Sequence, residues 1–236
     1  MATKKKNPAK KSPEAAPPSA EVSPPAEHLQ EVQGNGFTLR DELVEDSLIT
    51  GEHRDLLEDY FGEDVYEELR ELATRSRRVQ VRGGPRVLVL PGIMGSKLGR
   101  RGAIFDDTIW IDPIEVIAGH LTELQLKLGN GGIVPIGVLL ITYLRLKLRL
   151  RLAGFDAAFH PYDWRRDIAV LGAELAERII RETKKAGAMG PLYLVAHSMG
   201  GLVCRAALRV LEERGEGAAI NRMVLLGTPN LSSDSS

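Results

Sequence analysis

The sequence predicts an α/β protein, a mostly parallel sheet with helices on both faces, preceded by a tail that has no core of its own. Two observations carry this. Short apolar runs of strand type alternate with helix-period segments between about residues 86 and 226, the order that builds parallel strands joined by crossover helices. Within that region, Leu194-Val195-Ala196-His197-Ser198-Met199-Gly200-Gly201 reads as strand, tight turn and helix in immediate succession, with a serine at the turn.

Taken in chain order, residues 1–35 hold six of the thirteen prolines, with Ala, Ser and Lys and no hydrophobic period. Such a composition cannot bury enough surface to offset chain entropy, so this stretch reads as a disordered tail. Residues 36–80 form an acidic helical segment. Between 41 and 71 there are thirteen carboxylates against Arg54 and Arg70. Leu57, Phe61, Val65, Leu69 and Leu72 recur at helical spacing, with a break expected near Gly62. The acidic face reads as solvated, with a partner-docking surface as the less expected role.

The main domain is expected over 86–236. Val87-Leu88-Val89-Leu90 is a continuous apolar run of buried-strand type that ends at Pro91-Gly92. Residues 104–152 interrupt the alternation, as an insertion that caps an active site would. Phe155 to His160 is the next strand candidate. Asp167 can cap a helix carrying Ile168, Leu171, Leu175 and Ile179 on one face. Then come the strand Leu192–Ala196, the serine turn, a helix with Leu202, Val203, Ala206 and Val210 inward, and a last strand, Met223 to Leu226. From Leu144 to Leu152, leucines alternate with Arg145, Lys147, Arg149 and Arg151. Strand alternation and a helical face at 140, 144, 148 and 152 fit equally. The basic residues are expected to be solvated.

Composition excludes several classes. The net charge is −1, so no global electrostatic case exists for nucleic acid. One cysteine, Cys204, rules out an intrachain disulfide and a Cys-rich zinc pattern, and no cofactor or metal is expected. Lys4, Lys5 and Lys6 have no apolar stretch behind them, so no secretory signal is read and a cytoplasmic place is the expectation. The longest apolar run, Ile133 to Leu144, is twelve residues with Pro135 inside it, too short to span a bilayer. Followed by the alternating bases, it is a candidate for peripheral contact with a lipid surface.

A serine with small residues two positions to either side (Ala196 and Gly200) is a nucleophile elbow. A serine hydroxyl needs a base, an orienting acid and an oxyanion hole. The expected oxyanion donors are the backbone N–H of Met199, just after the nucleophile, and that of Met94 in the loop Pro91-Gly92-Ile93-Met94-Gly95-Ser96.

Five motifs then occur in order: Pro91-Gly92-Ile93-Met94-Gly95-Ser96-Lys97-Leu98, Trp110-Ile111-Asp112-Pro113, Pro161-Tyr162-Asp163-Trp164-Arg165, Ala196-His197-Ser198-Met199-Gly200-Gly201 and Gly227-Thr228-Pro229-Asn230. Together they resemble the lecithin:cholesterol acyltransferase family of α/β-hydrolases, from about Arg86 to Asn230. The resemblance implies acyl transfer through a Ser198 acyl-enzyme, from a lipid or another ester to a hydroxyl acceptor or to water. It assigns the oxyanion amides to Met94 and Met199, and a structural role to the Tyr162–Arg165 stretch.

The chain departs from the pattern in its acid and base. After Ser198 the carboxylates are Glu212, Glu213, Glu216 and Asp234, and all five histidines (28, 53, 120, 160 and 197) come before it. The fold's order of Ser, then Asp or Glu, then His is therefore not met, and the domain reads as C-terminally truncated. Asp163 precedes the serine and is not an obvious acid. His197 should point away from Ser198 Oγ, and His160 is a remote candidate for a substitute base. Cys204 is expected to be a buried thiol. A soluble esterase or thioesterase on the same core, and a non-catalytic binding or scaffold protein, are the alternative readings. The oligomeric state is not legible.

Overall fold

A computed structural model describes residues 37–38, 40–79, 84–101, 106–110, 132–185 and 190–229. The expectations for the tail, for the 111–131 part of the insertion and for Asn230 lie outside them. The elements are β1 (Phe37–Thr38), α1 (Asp41–Thr50), α2 (Arg54–Phe61), α3 (Glu63–Val79), β2 (Arg86–Leu90), β3 (Ser96–Arg100), β4 (Asp106–Trp110), β5 (Val134–Val138), α4 (Leu140–Leu152), β6 (Asp156–Phe159), α5 (Ile168–Thr183), β7 (Leu192–His197), α6 (Met199–Glu213) and β8 (Ile220–Leu226).

The central sheet has the strand order β6-β2-β7-β8, and every pair in it is parallel. On one face Leu88, Leu90, Leu194 and Ala196 pack with Leu171, Leu175 and Ile179 of α5 and with Val203, Cys204 and Ala207 of α6. On the other face Val89 and Phe159 join a cluster built from α1 to α4. This is the expected α/β fold with helices on both faces. Asp167 caps α5 as predicted, its Oδ1 accepting the Ala169 N–H at 2.7 Å.

The register sets the functional edge. Leu90 pairs with Ala196, Val89 with Phe159, and His197 with Leu226. The three strands β2, β6 and β7 therefore stop together, and the segments after them leave from one side. Open α/β sheets gather ligands at this carboxyl edge.

A second, antiparallel sheet with the order β1-β4-β3-β5 was not legible in the sequence. After Gly95 the chain enters β3 directly rather than a helix. β4 and β5, both from the insertion, flank β3. Half of the run from Ile133 to Leu144 is interior, with Ile133, Gly137, Val138, Leu140, Tyr143 and Leu144 buried and Val134, Ile141 and Thr142 exposed.

The charged segments correct in part the expectation of two solvated faces: most of the acidic side chains are exposed, but Asp41, Glu45 and Lys147 are buried. Leu144–Leu152 lies within the helix α4, and its bases meet the acidic helices. Lys147 and Arg151 both pair with Glu45 of α1. Arg145 and Arg149 pair with Glu68 of α3 at 2.6 and 3.3 Å. Lys147 is itself buried and lies 4.5 Å from the centre of the Phe159 ring. The helix breaks at Gly62 as expected and again at Gly51, both with φ of 82°. These two turns fold the acidic segment back over α4, which brings opposite charges together across a shared apolar core.

Candidate active site

Ser198 stands between β7 and α6 with φ 50° and ψ −123°, a conformation that a residue with a Cβ holds only under constraint. The constraints are visible. The Ser198 N–H donates to Leu226 O at 2.8 Å, and Thr228 Oγ1 donates to Ser198 O at 3.0 Å. The small residues that follow are required by proximity. A Cβ on Gly200 would lie 2.5 Å from Pro91 O, and one on Gly201 would lie 2.0 Å from Thr228 Oγ1. Residues 198–201 are thus locked between the end of β2 and the segment after β8.

The loop from Pro91 to Ser96 lies against this turn. A Cβ on Gly92 would sit 3.2 Å from Ser198 Cβ. Gly95 N–H donates to Gly92 O at 3.1 Å, closing a four-residue turn whose third residue, Met94, has φ 61°. With Ile93 absent from the positive-φ residues, this is the type II arrangement. The loop's other groups are held by distant side chains. Gly92 N–H donates to Tyr143 Oη at 2.9 Å. Tyr162 Oη donates to Pro91 O at 2.7 Å, and burial pushes the Tyr162 phenol further into its protonated, donating form. Trp110 Nε1 donates to Met94 O at 3.1 Å. Trp164 Nε1 donates to Ser96 O at 3.3 Å, and the Tyr162 N–H to Ser96 Oγ at 3.0 Å. Leu139 N–H takes Gly95 O at 3.0 Å. Among the described residues, the amides of Ile93, Met94 and Met199 have no acceptor.

The Pro161–Arg165 motif is the frame of this loop. Tyr162 and Trp164 supply three of the bonds just named. Between them Asp163, buried, is held in a two-point ion pair by Arg165, with Nε to Oδ1 at 2.8 Å and Nη2 to Oδ2 at 2.7 Å. That carboxylate is committed to the frame.

The two described histidines at the sheet edge each have another side-chain partner. His197 Nδ1 lies 2.9 Å from Tyr143 Oη, so that ring nitrogen is engaged by the phenol. Because Tyr143 Oη accepts from Gly92, its own proton is available to His197 Nδ1. His160 ends β6 but faces Arg178, whose Nη1 lies 2.9 Å from its Nδ1. Burial, then the charges of Arg178 and Arg181, lower its pKa to about 3. A neutral imidazole that resists protonation this strongly is a poor general base, so His160 does not take the substitute role. His53 precedes α2 in the helical layer. Cys204 is buried, its thiol pushed up to about 12 by desolvation, which is the inert state expected of it.

Beside His197 a cleft of about 190 Å3 opens between the sheet and α4, lined by Val89, Leu90, Thr142, Tyr143, Leu146, Val195 and Leu226. Ile93 and Met94 add exposed apolar surface, at 58% and 41%. Tyr143 and Trp110 are site residues with no role legible from the motifs. Tyr143 lies 51 residues from the glycine it binds, with no local signal. Trp110 stands in one of the five motifs, and its function appears only with its partner.

No curated protein matches the chain. Among the described residues, no helix is long and apolar enough to cross a membrane. Residues 162–228 match the family described as "Putative serine esterase (DUF676)". The match begins at the tyrosine that braces Pro91 and ends at the threonine that braces Ser198, so the part of this chain that is similar to a serine esterase is the part that builds and holds the nucleophile turn.

Proposed function

We propose that Ser198 is the nucleophile of a serine ester hydrolase or O-acyltransferase acting on lipid esters through an acyl-enzyme. The observation that carries this reading is the strained Ser198 turn packed against a loop with free amides. Ser198 Oγ attacks the ester carbonyl, and the negative charge that develops on its oxygen is taken by the N–H groups of Met94 and Met199. Met199 opens α6, so its amide also has the positive end of the helix dipole behind it. The alcohol leaves with a proton, and the acyl-enzyme passes its acyl group to water or to a hydroxyl acceptor. The lipid preference rests on the resemblance to the lecithin:cholesterol acyltransferase family and on the exposed Ile93 and Met94 at the loop. The acid and base would come from outside the described residues.

Without a base, an oxyanion hole and substrate binding still accelerate such reactions, by roughly 10³–10⁴ over water in a serine protease. The purified chain should therefore turn over p-nitrophenyl esters and phosphatidylcholine micelles only slowly and react negligibly with a fluorophosphonate. Imidazole added as a diffusible base should raise the yield of acylated Ser198, read by mass spectrometry, with Ser198→Ala as the blank. Acylation that never depends on Ser198, with or without imidazole, would overturn the assignment. A non-catalytic role would then be the better reading.

A further inference from the structure

We propose that His197 is the substrate-anchoring residue of this site: held by Tyr143 with its proton on Nε2, it donates to an oxygen of an ester whose hydrocarbon group lies in the adjoining cleft. The inference rests on the Ser198 reading above only for what the bound ester then undergoes. The place of the proton follows from counting donors. Tyr143 Oη accepts the Gly92 N–H at 2.9 Å and lies 2.9 Å from His197 Nδ1, a separation that holds one proton. Burial raises the Tyr143 phenol above its ordinary value, so the phenol keeps its own proton. Were Nδ1 protonated as well, Oη would accept twice, and its proton would have no acceptor among the described residues. Tyr143 is buried, where leaving a hydrogen bond unmade is costly. The phenol therefore donates to Nδ1, and the neutral imidazole carries its proton on Nε2.

That N–H stands where an ester would sit. His197 is exposed, and among the described residues no group bonds its Nε2. Its ring and the nucleophile meet at one point: a Cβ on Gly92 would lie 3.4 Å from His197 Cε1, the atom bonded to Nε2, and 3.2 Å from Ser198 Cβ. Leu192, Leu194 and Ala196 of β7 pack against α5 and α6, so strand alternation sends Val195 and His197 to the α4 side. There His197 lines the cleft of about 190 Å3, with Thr142, Leu146, Val195 and Leu226 among its other walls. Leu226 O also accepts the Ser198 N–H. The cleft thus adjoins the nucleophile through the residue before it and the residue that holds its amide. An engineered apolar cavity of about 150 Å3 in another protein takes up benzene, and this cleft holds a hydrocarbon group of that order. Apolar walls with a single polar donor fix a ligand's orientation. The ligand that matches is an ester with a short hydrocarbon group. The bonds from Gly92 N–H to Tyr143 Oη and from Tyr143 O–H to Nδ1 polarise the ring and strengthen Nε2–H as a donor.

The test titrates methyl hexanoate into the full chain carrying Ser198→Ala, in which no turnover intervenes. Before titration, long-range correlations to the ring nitrogens of isotopically labelled histidine, at mildly alkaline pH, should show His197 with a bare Nδ1 and a protonated Nε2. A protonated Nδ1 overturns the proposal. On titration the Nε2 resonance and the methyl resonances of Leu146, Val195 and Leu226 should shift together with one Kd. Shifts confined to other residues, or methyl shifts without Nε2, overturn it as well. Adding His197→Phe should weaken binding roughly 2- to 10-fold, the range of one net hydrogen bond. His197→Gln, whose amide can donate in place of Nε2–H, should lose less. Unchanged affinity in His197→Phe removes the anchoring role. Thr142→Phe, at an exposed position, and Leu146→Phe should each fill the cleft and abolish the methyl shifts. Binding undiminished in both places the ester elsewhere. In the wild type with imidazole, p-nitrophenyl hexanoate should acylate Ser198 faster than p-nitrophenyl acetate, and Thr142→Phe should erase that preference. Acylation of Ser198 with no such preference overturns the link between cleft and reaction. Acylation by neither ester counts against the Ser198 reading, whereas the titration still decides the role of His197 and the cleft.

Discussion

At the scale of single residues, the site separates groups that hold geometry from groups that would do chemistry. Asp163, Tyr162 and His160 all stand at the carboxyl edge of the sheet, where a titratable group invites a catalytic reading. Each is instead committed to structure, and His160 shows the cost. Its folded pKa of about 3 lies below its ordinary value near 6.5. Above that value the imidazole is neutral in both states and no penalty arises. As pH falls below it, the unfolded chain takes up a proton that the folded chain refuses, so stability drops until pH reaches about 3. Urea midpoints measured between pH 8 and 4 should therefore decline toward acid. His160→Gln, which cannot titrate, should flatten that slope. An unchanged slope in the variant would place the acid sensitivity elsewhere.

At the scale of elements, the acidic helices and α4 form one unit. Glu45 is shared by Lys147 and Arg151, and Asp41 pairs with buried Lys97 at 2.6 Å while accepting the Val138 N–H at 2.9 Å. Removing one partner of a buried pair strands the other charge and typically costs about 3–5 kcal/mol. Replacing both by apolar groups of similar size can be nearly neutral. Glu45→Ala should therefore lower the unfolding free energy by about that amount, while Glu45→Leu with both Lys147→Met and Arg151→Met, which leaves no stranded charge, should lose much less. Equal losses in denaturant titrations would mean that packing, not charge, binds these helices. The same unit shows why some of the fold was legible and some was not. The β2, β6 and β7 strands and α5 were readable because apolar period and caps are local signals. The second sheet was not, since its β3 and β5 pair across 34 or more intervening residues with bulges in the register. The fate of the Leu144–Leu152 bases was hidden for the same reason, as Glu45 is 102 residues from Lys147. At the site, Ser198 and its glycines were legible because the elbow is a contiguous motif. The frame that holds the loop was not, because its bonds join residues 16 to 71 positions apart.

At the scale of the whole molecule, the two faces of the parallel sheet are covered unequally among the described residues. One face carries α5 and α6 across its width. On the other, the apolar cluster of the helical layer takes in Val89 of β2 and Phe159 of β6, while Val224 and Leu226 of β8 remain exposed at 43% and 44%. β8 is also the last strand in the order β6-β2-β7-β8. Parallel sheets are ordinarily buried on both faces, and an apolar edge strand is an adhesive surface. β8 has no proline, and its one charged residue, exposed Arg222, precedes the apolar Val224 and Leu226 on the same face and leaves that end of the edge unblunted. The isolated chain should therefore self-associate as its concentration rises, with sedimentation velocity showing a broad, concentration-dependent distribution and a hydrophobic dye reporting exposed surface. Val224→Lys with Leu226→Lys should suppress both signals and leave the thermal midpoint nearly unchanged, because these side chains contribute little to the core that α5 and α6 build. Association undiminished in that double variant would move the sticky surface to Ile93 and Met94, and the same experiment on Ile93→Lys would then locate it there.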